Sequence, residues 1–124
     1  MPIQNNFVKE IDTKKGIEFG IYSLGDLMVN PHNNESLSEK QRLNEFIEIA
    51  KMAEQAGIDV FDLGESHQDY FVSQAQSVIL ASIVQATKKI KLVSAASLIS
   101  IHDPVRLWED FATLDLLSDG RVEL

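Results

Sequence analysis

The chain contains no cysteine, which rules out a disulfide framework, a zinc–thiolate site and thiol catalysis. Cations are scarce as well: 11 lysines and arginines stand against 19 aspartates and glutamates, a formal charge of −8. Phosphate binding rests on clustered Lys and Arg, so no nucleic-acid partner is expected. The one small basic cluster, Lys88, Lys89 and Lys91, reads as a solvated helix end favoured by the helix dipole. No apolar run approaches the ~18 residues of a membrane span. The opening Met1-Pro-Ile-Gln-Asn-Asn6 lacks the basic and apolar regions of a signal peptide. No membrane partner is expected, and a cytoplasmic location is the simplest reading. Two phosphate-binding signatures are also missing. No Gly-x-Gly-x-x-Gly follows any strand-like run, and no glycine-rich loop ends in Lys-Ser or Lys-Thr, which weakens a dinucleotide site and excludes P-loop phosphoryl transfer.

What remains is ordinary globular material. The 124 residues, 44% of them apolar and 7% aromatic, make one domain's worth of chain. Residues 1–16 have no period and read as an N-terminal extension, with a single α/β unit over 17–124. Ile17 to Leu24 reads as a first strand with Ile17, Phe19 and Ile21 on one face. The polar stretch from Gly25 to Ser38 reads as a long loop, and its His32 as a solvated loop histidine. Ser36-x-x-Glu39 and Ser38-x-x-Gln41 are competing capping boxes for a first helix. Leu43, Phe46, Ile47, Ala50 and Ala53 give that helix its apolar face, and Gly57 is suited to stop it.

The run Asp59-Val-Phe-Asp-Leu-Gly-Glu-Ser-His-Gln-Asp-Tyr70 organises the rest. It begins as a buried strand and ends in five consecutive polar residues, where a parallel α/β fold collects its ligands. Asp62 belongs on the sheet's inner side, either as a hydrogen-bonded structural carboxylate or as part of a site. Ser73-x-x-Gln76 reads as the start of a second helix, apolar nearly all round through Val78, Ile79, Leu80, Ile83 and Val84. Ile90 to Ile99 is a third strand that turns small and polar at Ser94 to Ser97, through a need either for close helix packing or for ligand approach. Asp103-Pro104 starts a third helix, with Asp as N-cap and Pro in the first turn. Val105, Leu107, Trp108, Phe111, Ala112, Leu114 and Leu117 are its apolar residues. Asp119-Gly120 ends it, and Arg121 to Leu124 begins a fourth strand. Alternation of this kind means parallel strands with right-handed crossovers, in an open doubly wound sheet or in the first part of an eightfold barrel.

Four segments occur in a specific order and spacing: Gly57 to His67, Val93-Ser-Ala-Ala-Ser97, Asp103-Pro-Val-Arg106, and Glu109 to Arg121. Together they resemble the N-terminal part of the bacterial luciferase-like flavin-dependent monooxygenases, from about Gly16 to Leu124. The resemblance implies an α/β fold, a partial (β/α)8 TIM barrel of about three βα units plus the start of strand four. It also implies reduced FMN as cofactor, with deazaflavin possible, and molecular oxygen and a small organic compound as substrates. A separate flavin reductase and a homodimer are the implied partners of the full-length protein. Ala95 and Ala96 match the place where the family carries a non-prolyl cis peptide against the flavin ring, making Ala95, Ala96 and Ser97 candidate cofactor-binding residues. Glu65-Ser66-His67 matches a Glu-His-His signature, with Ser66 in place of the first histidine. A serine does not titrate near neutrality, so the acid–base work of an imidazole is lost at that position. The match makes His67, which stands at the second histidine and lines the site, and Glu65, as a structural hydrogen-bond acceptor, the candidate catalytic residues; no metal site is expected.

A complete barrel takes ~250 residues, so the chain supplies under half of one and is expected to be inactive by itself. The alternatives are a non-catalytic flavin-binding or interaction module and a deazaflavin-dependent oxidoreductase. An unrelated barrel isomerase or aldolase ranks last, since no lysine sits at a strand end to form a Schiff base.

Overall fold

The computed structural model describes residues 16–124; the extension expected at the N-terminus lies outside the described residues except for Gly16. The elements alternate as β1 (Gly20–Ser23), α1 (Glu39–Ala56), β2 (Val60–Leu63), α2 (Gln76–Ala86), β3 (Lys91–Ser94), α3 (Pro104–Ser118) and β4 (Val122–Glu123). All pairings are parallel and the strand order is β1-β2-β3-β4. A doubly wound sheet reverses direction at a switch point; this one advances without reversal. It is a partial (β/α)8 barrel, three βα units followed by the start of the fourth strand.

Alternation along the strands separates the two faces. Phe61 and Leu63 of β2, Leu92 of β3 and Val122 of β4 are buried in one cluster with Phe46, Ala50 and Ala53 of α1, Ile79, Leu80 and Ile83 of α2, and Phe111 and Leu114 of α3. The opposite face carries Tyr22, Val60, Asp62, Val93 and Glu123, none of them buried. That face is the inner side of a barrel.

Local chemistry fixes the ends of the helices. Of the two competing capping boxes, Ser38 wins: its Oγ accepts from Gln41 N, and Gln41 Oε1 accepts from Ser38 N. Gly57, left-handed at φ 80°, closes α1. Asp103 caps α3 by accepting from Val105 N and Arg106 N, with Pro104 in the first turn, and Asp119 ends the helix at φ 57°.

Several expectations are corrected. Ile17 and Phe19 lie outside β1 and are 82% and 66% exposed, because β1 pairs with β2 only over Gly20–Ser23. Ser73-x-x-Gln76 does stand at the start of α2, but without capping it: the residue before α2 is Ala75, which makes no side-chain cap. Ser73 instead donates to Leu24 O at 2.6 Å, and Gln76 turns back toward the sheet. Nor is α2 covered all round, since Val78 is 65% exposed; on α3, Val105, Trp108 and Leu117 also face outward. The third strand is shorter than expected, ending at Ser94 where the backbone turns out of the ladder.

Candidate functional site

The register places the ends of the strands side by side, Ser23 beside Leu63 and Leu63 beside Ser94. The polar tail of β2 therefore emerges next to Ala95, Ala96 and Ser97. Gly64 N donates to Ser23 O at 2.9 Å, Ala95 N to Leu63 O at 3.0 Å, and Glu65 N to Ala96 O at 3.3 Å. The Ala95–Ala96 peptide bond is cis. Two sequence-derived groups of candidates, Glu65 with His67 and Ala95 with Ala96 and Ser97, thus share one rim.

Glu65 sits at the centre, its side chain fully buried. Its Oε1 accepts from His67 Nε2 at 2.6 Å and from His102 Nε2 at 2.9 Å. Its Oε2 accepts from Leu98 N at 2.9 Å and from His102 Nε2 at 2.8 Å. Burial works to raise the Glu65 pKa, but the hydrogen bonds from His67, Leu98 N and His102, with the attraction of His102, hold the carboxyl below its ordinary range. An ionised carboxylate only accepts, so the Nε2 nitrogens of both rings carry the protons; in a neutral ring Nδ1 then holds a lone pair. His67 is exposed and its Nδ1 has no hydrogen-bond partner among the described residues.

Behind the rim, Gln76 ties the ends of β2 and β3 together. Its Nε2 donates to Leu63 O, while its Oε1 accepts from Ser97 Oγ at 2.7 Å and from Ser94 Oγ at 3.1 Å. The Ser97 hydroxyl is therefore engaged on the helix side of the rim. A cavity of about 40 Å³ lies beside this network, lined by Glu65, Gln76, Ser97, His102, Asp110 and Phe111 among others.

On the inner side the rim is shallow. A Cβ at Gly64 would stand 2.5 Å from Leu24 Cδ2, 2.8 Å from the Tyr22 hydroxyl and 3.2 Å from Ala95 O. The missing side chain is what lets Tyr22 lie across β2 toward Ala95. Asp62 is paired in register with Tyr22 and is half-buried on this side; burial alone pushes its carboxyl above its ordinary value. It has no hydrogen-bond partner among the described residues. Antiparallel contacts between the tails of β1 and β2 complete the rim, with Leu27 N donating to Tyr70 O at 2.7 Å and Val72 N to Gly25 O at 2.9 Å.

His102, Gln76, Tyr22 and Gly64 are not evident as site residues in the sequence. His102 had a usable signal: it is one of three histidines in the chain and stands directly before the Asp103 cap, at the end of the loop leaving β3. His32 is exposed on its loop and takes no part in the rim. No group of His, Asp and Glu able to hold a metal ion occurs among the described residues. No helix among them is long and apolar enough to cross a membrane.

With this geometry in view, the comparisons with known proteins are specific. The profile of the luciferase-like monooxygenase family matches residues 17–124. A luciferase-like monooxygenase of Escherichia coli strain K12 is 30% identical over 104 residues, covering 83% of this chain and 30% of that protein. The oxygenase component of a flavin-dependent trigonelline monooxygenase of Acinetobacter baylyi is 24% identical over 88 residues, covering 70% of this chain and 24% of that protein. Among solved structures, monooxygenase RslO1 from Streptomyces bottropensis superposes with a TM-score of 0.74 at 26% identity, over 87% of this chain and 32% of its own. The chain spans about a quarter to a third of the length of the curated relatives it matches.

Proposed function

The chain belongs to the luciferase-like monooxygenase family, and on that premise we propose that it forms part of a flavin-dependent monooxygenase, acting with reduced FMN and molecular oxygen on a small organic substrate. The observation that carries this reading is the shared rim, where the Glu65–His67 pair of β2 emerges beside the small residues that follow β3.

The rim suits a flat ring system. Ala95 and Ala96 offer only methyl groups, and Tyr22, which with Leu24 covers Gly64, supplies an aromatic wall on the inner side. In this proposal the Ala95–Ser97 segment lies against the isoalloxazine, and the Ser97 hydroxyl braces the segment from behind through Gln76. When bound, the reduced flavin supplies the electrons with which dioxygen is activated.

The chain's own residues then do two things. Glu65 fixes the His67 ring and presents its Nδ1 to the cleft, where that nitrogen accepts a proton from substrate or returns one. Ser66, in place of a second imidazole, supplies only a hydroxyl, so the proton-transfer capacity rests on His67. The remaining strands of a complete barrel would cover the inner face and hold the rest of the cofactor, and this segment is inactive alone. A cytoplasmic setting, a separate flavin reductase and a homodimer belong to the same proposal; the outward-facing Val78, Trp108 and Leu117 of α2 and α3 favour an oligomer.

The test is a titration of the complete protein with reduced FMN and, separately, with a reduced deazaflavin, following the optical change on binding. Saturable FMN binding together with substrate-dependent oxygen consumption supports the proposal. Binding of deazaflavin alone moves the reading to a deazaflavin-dependent oxidoreductase. FMN binding without oxygen consumption points to a non-catalytic flavin module, and binding of neither sinks the enzyme reading.

A further inference from the structure

One buried carboxylate serves two imidazoles, and the second comes from a different part of the fold. His67 stands on the tail of β2, while His102 ends the loop between β3 and α3, held in place by the Asp103 cap that follows it. His102 Nε2 reaches both Glu65 oxygens, at 2.9 and 2.8 Å, and its side chain is 34% exposed. Without it, Glu65 would keep Leu98 N on Oε2 and His67 on Oε1. With one bond on each oxygen in place of two, its terminal torsion, which is broad for an sp³–sp² bond, would be held less tightly.

We propose that His102 is a positioning residue. By clamping both oxygens of Glu65 it fixes the plane of the carboxylate, and so holds His67 in the single tautomer that directs Nδ1 into the cleft. The arrangement extends the logic by which a buried acid orients a working imidazole, with a third group fixing the acid. The role in turnover rests on the function proposed above; the clamp itself does not.

The other charged groups nearby are already engaged or lie apart. Asp110, which lines the same cavity from α3, accepts the Ser77 hydroxyl at 2.7 Å. Asp103 accepts from Val105 N and Arg106 N, and Arg106 pairs with Glu109 at 3.2 Å. Asp69, on the tail of β2, is exposed. None of them holds the Glu65 carboxylate.

The experiment is nitrogen-15 NMR of the histidine rings in the complete protein, with His67 assigned by loss of its signals in His67→Gln. Wild type is expected to show the His67 ring in one tautomer, protonated at Nε2. His102→Leu, which removes the donor, is expected to give a mixture of tautomers at His67 while leaving His32 unchanged. His102→Gln, which restores an N–H donor, is expected to return the wild-type pattern. A wild-type His67 signature in His102→Leu overturns the proposal, as does a folded His102→Gln that has lost it; the glutamine variant keeps the test decisive if the leucine variant does not fold. In the flavin-loaded enzyme, kcat should fall on the order of ten-fold in His102→Leu, a part of the ~10²–10⁴ that a positioned acid–base group contributes, with KM little changed. A tautomer shift without any fall in kcat leaves the clamp standing and removes His67 from the reaction.

Discussion

Gln76, in the first turn of α2, accepts the hydroxyl of Ser97 at 2.7 Å, and the same side chain holds Ser94 and the carbonyl of Leu63. A residue that resembles a helix-capping partner in the sequence is thus the brace of the strand-end rim. Replacing it with an isosteric apolar residue removes three hydrogen bonds, each worth about 0.5–1.5 kcal/mol net, while Leu63 O keeps Ala95 N and the Ser94 and Ser97 hydroxyls keep each other. Gln76→Leu should lower unfolding stability by about 1–4 kcal/mol in all and weaken flavin binding with it. Urea unfolding and a flavin titration on the same preparation check both effects.

Acid should loosen the fold through Glu65. Its folded-state pKa lies below its ordinary value, so the stabilisation is fully present above the unfolded value and is lost as pH falls through the lower, folded one. Glu54 acts in the same direction. Burial raises its pKa, but hydrogen bonds from Ile90 N, Lys89 N and Lys88 N and the attraction of Arg121 carry it lower. Asp62, raised by burial, acts in the opposite sense and is relieved on protonation. Glu65→Gln should reduce the dependence of the urea midpoint on pH below the ordinary carboxylate range, and Asp62→Asn should raise the midpoint at neutral pH.

Two glycines should respond unequally to alanine. Both Gly25 and Gly57 are left-handed, but a Cβ at Gly25 would stand 2.8 Å from Phe46 Cζ and 3.2 Å from Ser73 Cβ, whereas nothing lies within 4 Å of one at Gly57. Gly57→Ala should cost about 1–2 kcal/mol, the left-handed penalty alone. Gly25→Ala should cost about 1–3 kcal/mol more from overpacking against the fully buried Phe46. Thermal melts of the pair give the difference directly.

In the complete, flavin-loaded protein, His67→Ala should cut turnover by about 10²–10⁴-fold, the usual contribution of a positioned acid–base group. Stability should change less, because the buried Glu65 carboxylate keeps Leu98 N and His102 as donors. Equal losses in turnover and stability would show a structural part instead. The comparison needs kcat and a urea midpoint for each protein.

The order of elements was legible because it rests on local chemistry. Asp103-Pro104, Gly57 and the Ser38–Gln41 box act within a few residues of themselves. The meeting of Glu65-Ser66-His67 with Ala95-Ala96-Ser97 was legible for a different reason: consecutive parallel strands in a barrel end on the same rim. Side-chain partners beyond the local chain were not. Ser73 and Gln76 have the spacing of a cap, yet their choice was settled by the carbonyls of Leu24 and Leu63, which a linear reading does not bring near. Trp108 and Val78 look like core by type and period, but the helices bury only the stripe that faces the sheet. His102 finds Glu65 across 37 residues, a pairing that depends on the loop's path after β3.

The most direct test of the central claim is a titration of the complete protein with FMN in wild type and in Ala96→Phe. Ala96 is exposed on the rim, so the larger ring should leave folding and the melting temperature nearly unchanged. The account predicts that Ala96→Phe abolishes saturable flavin binding. Wild-type affinity in a folded Ala96→Phe protein would contradict it, because the flavin would then lie elsewhere.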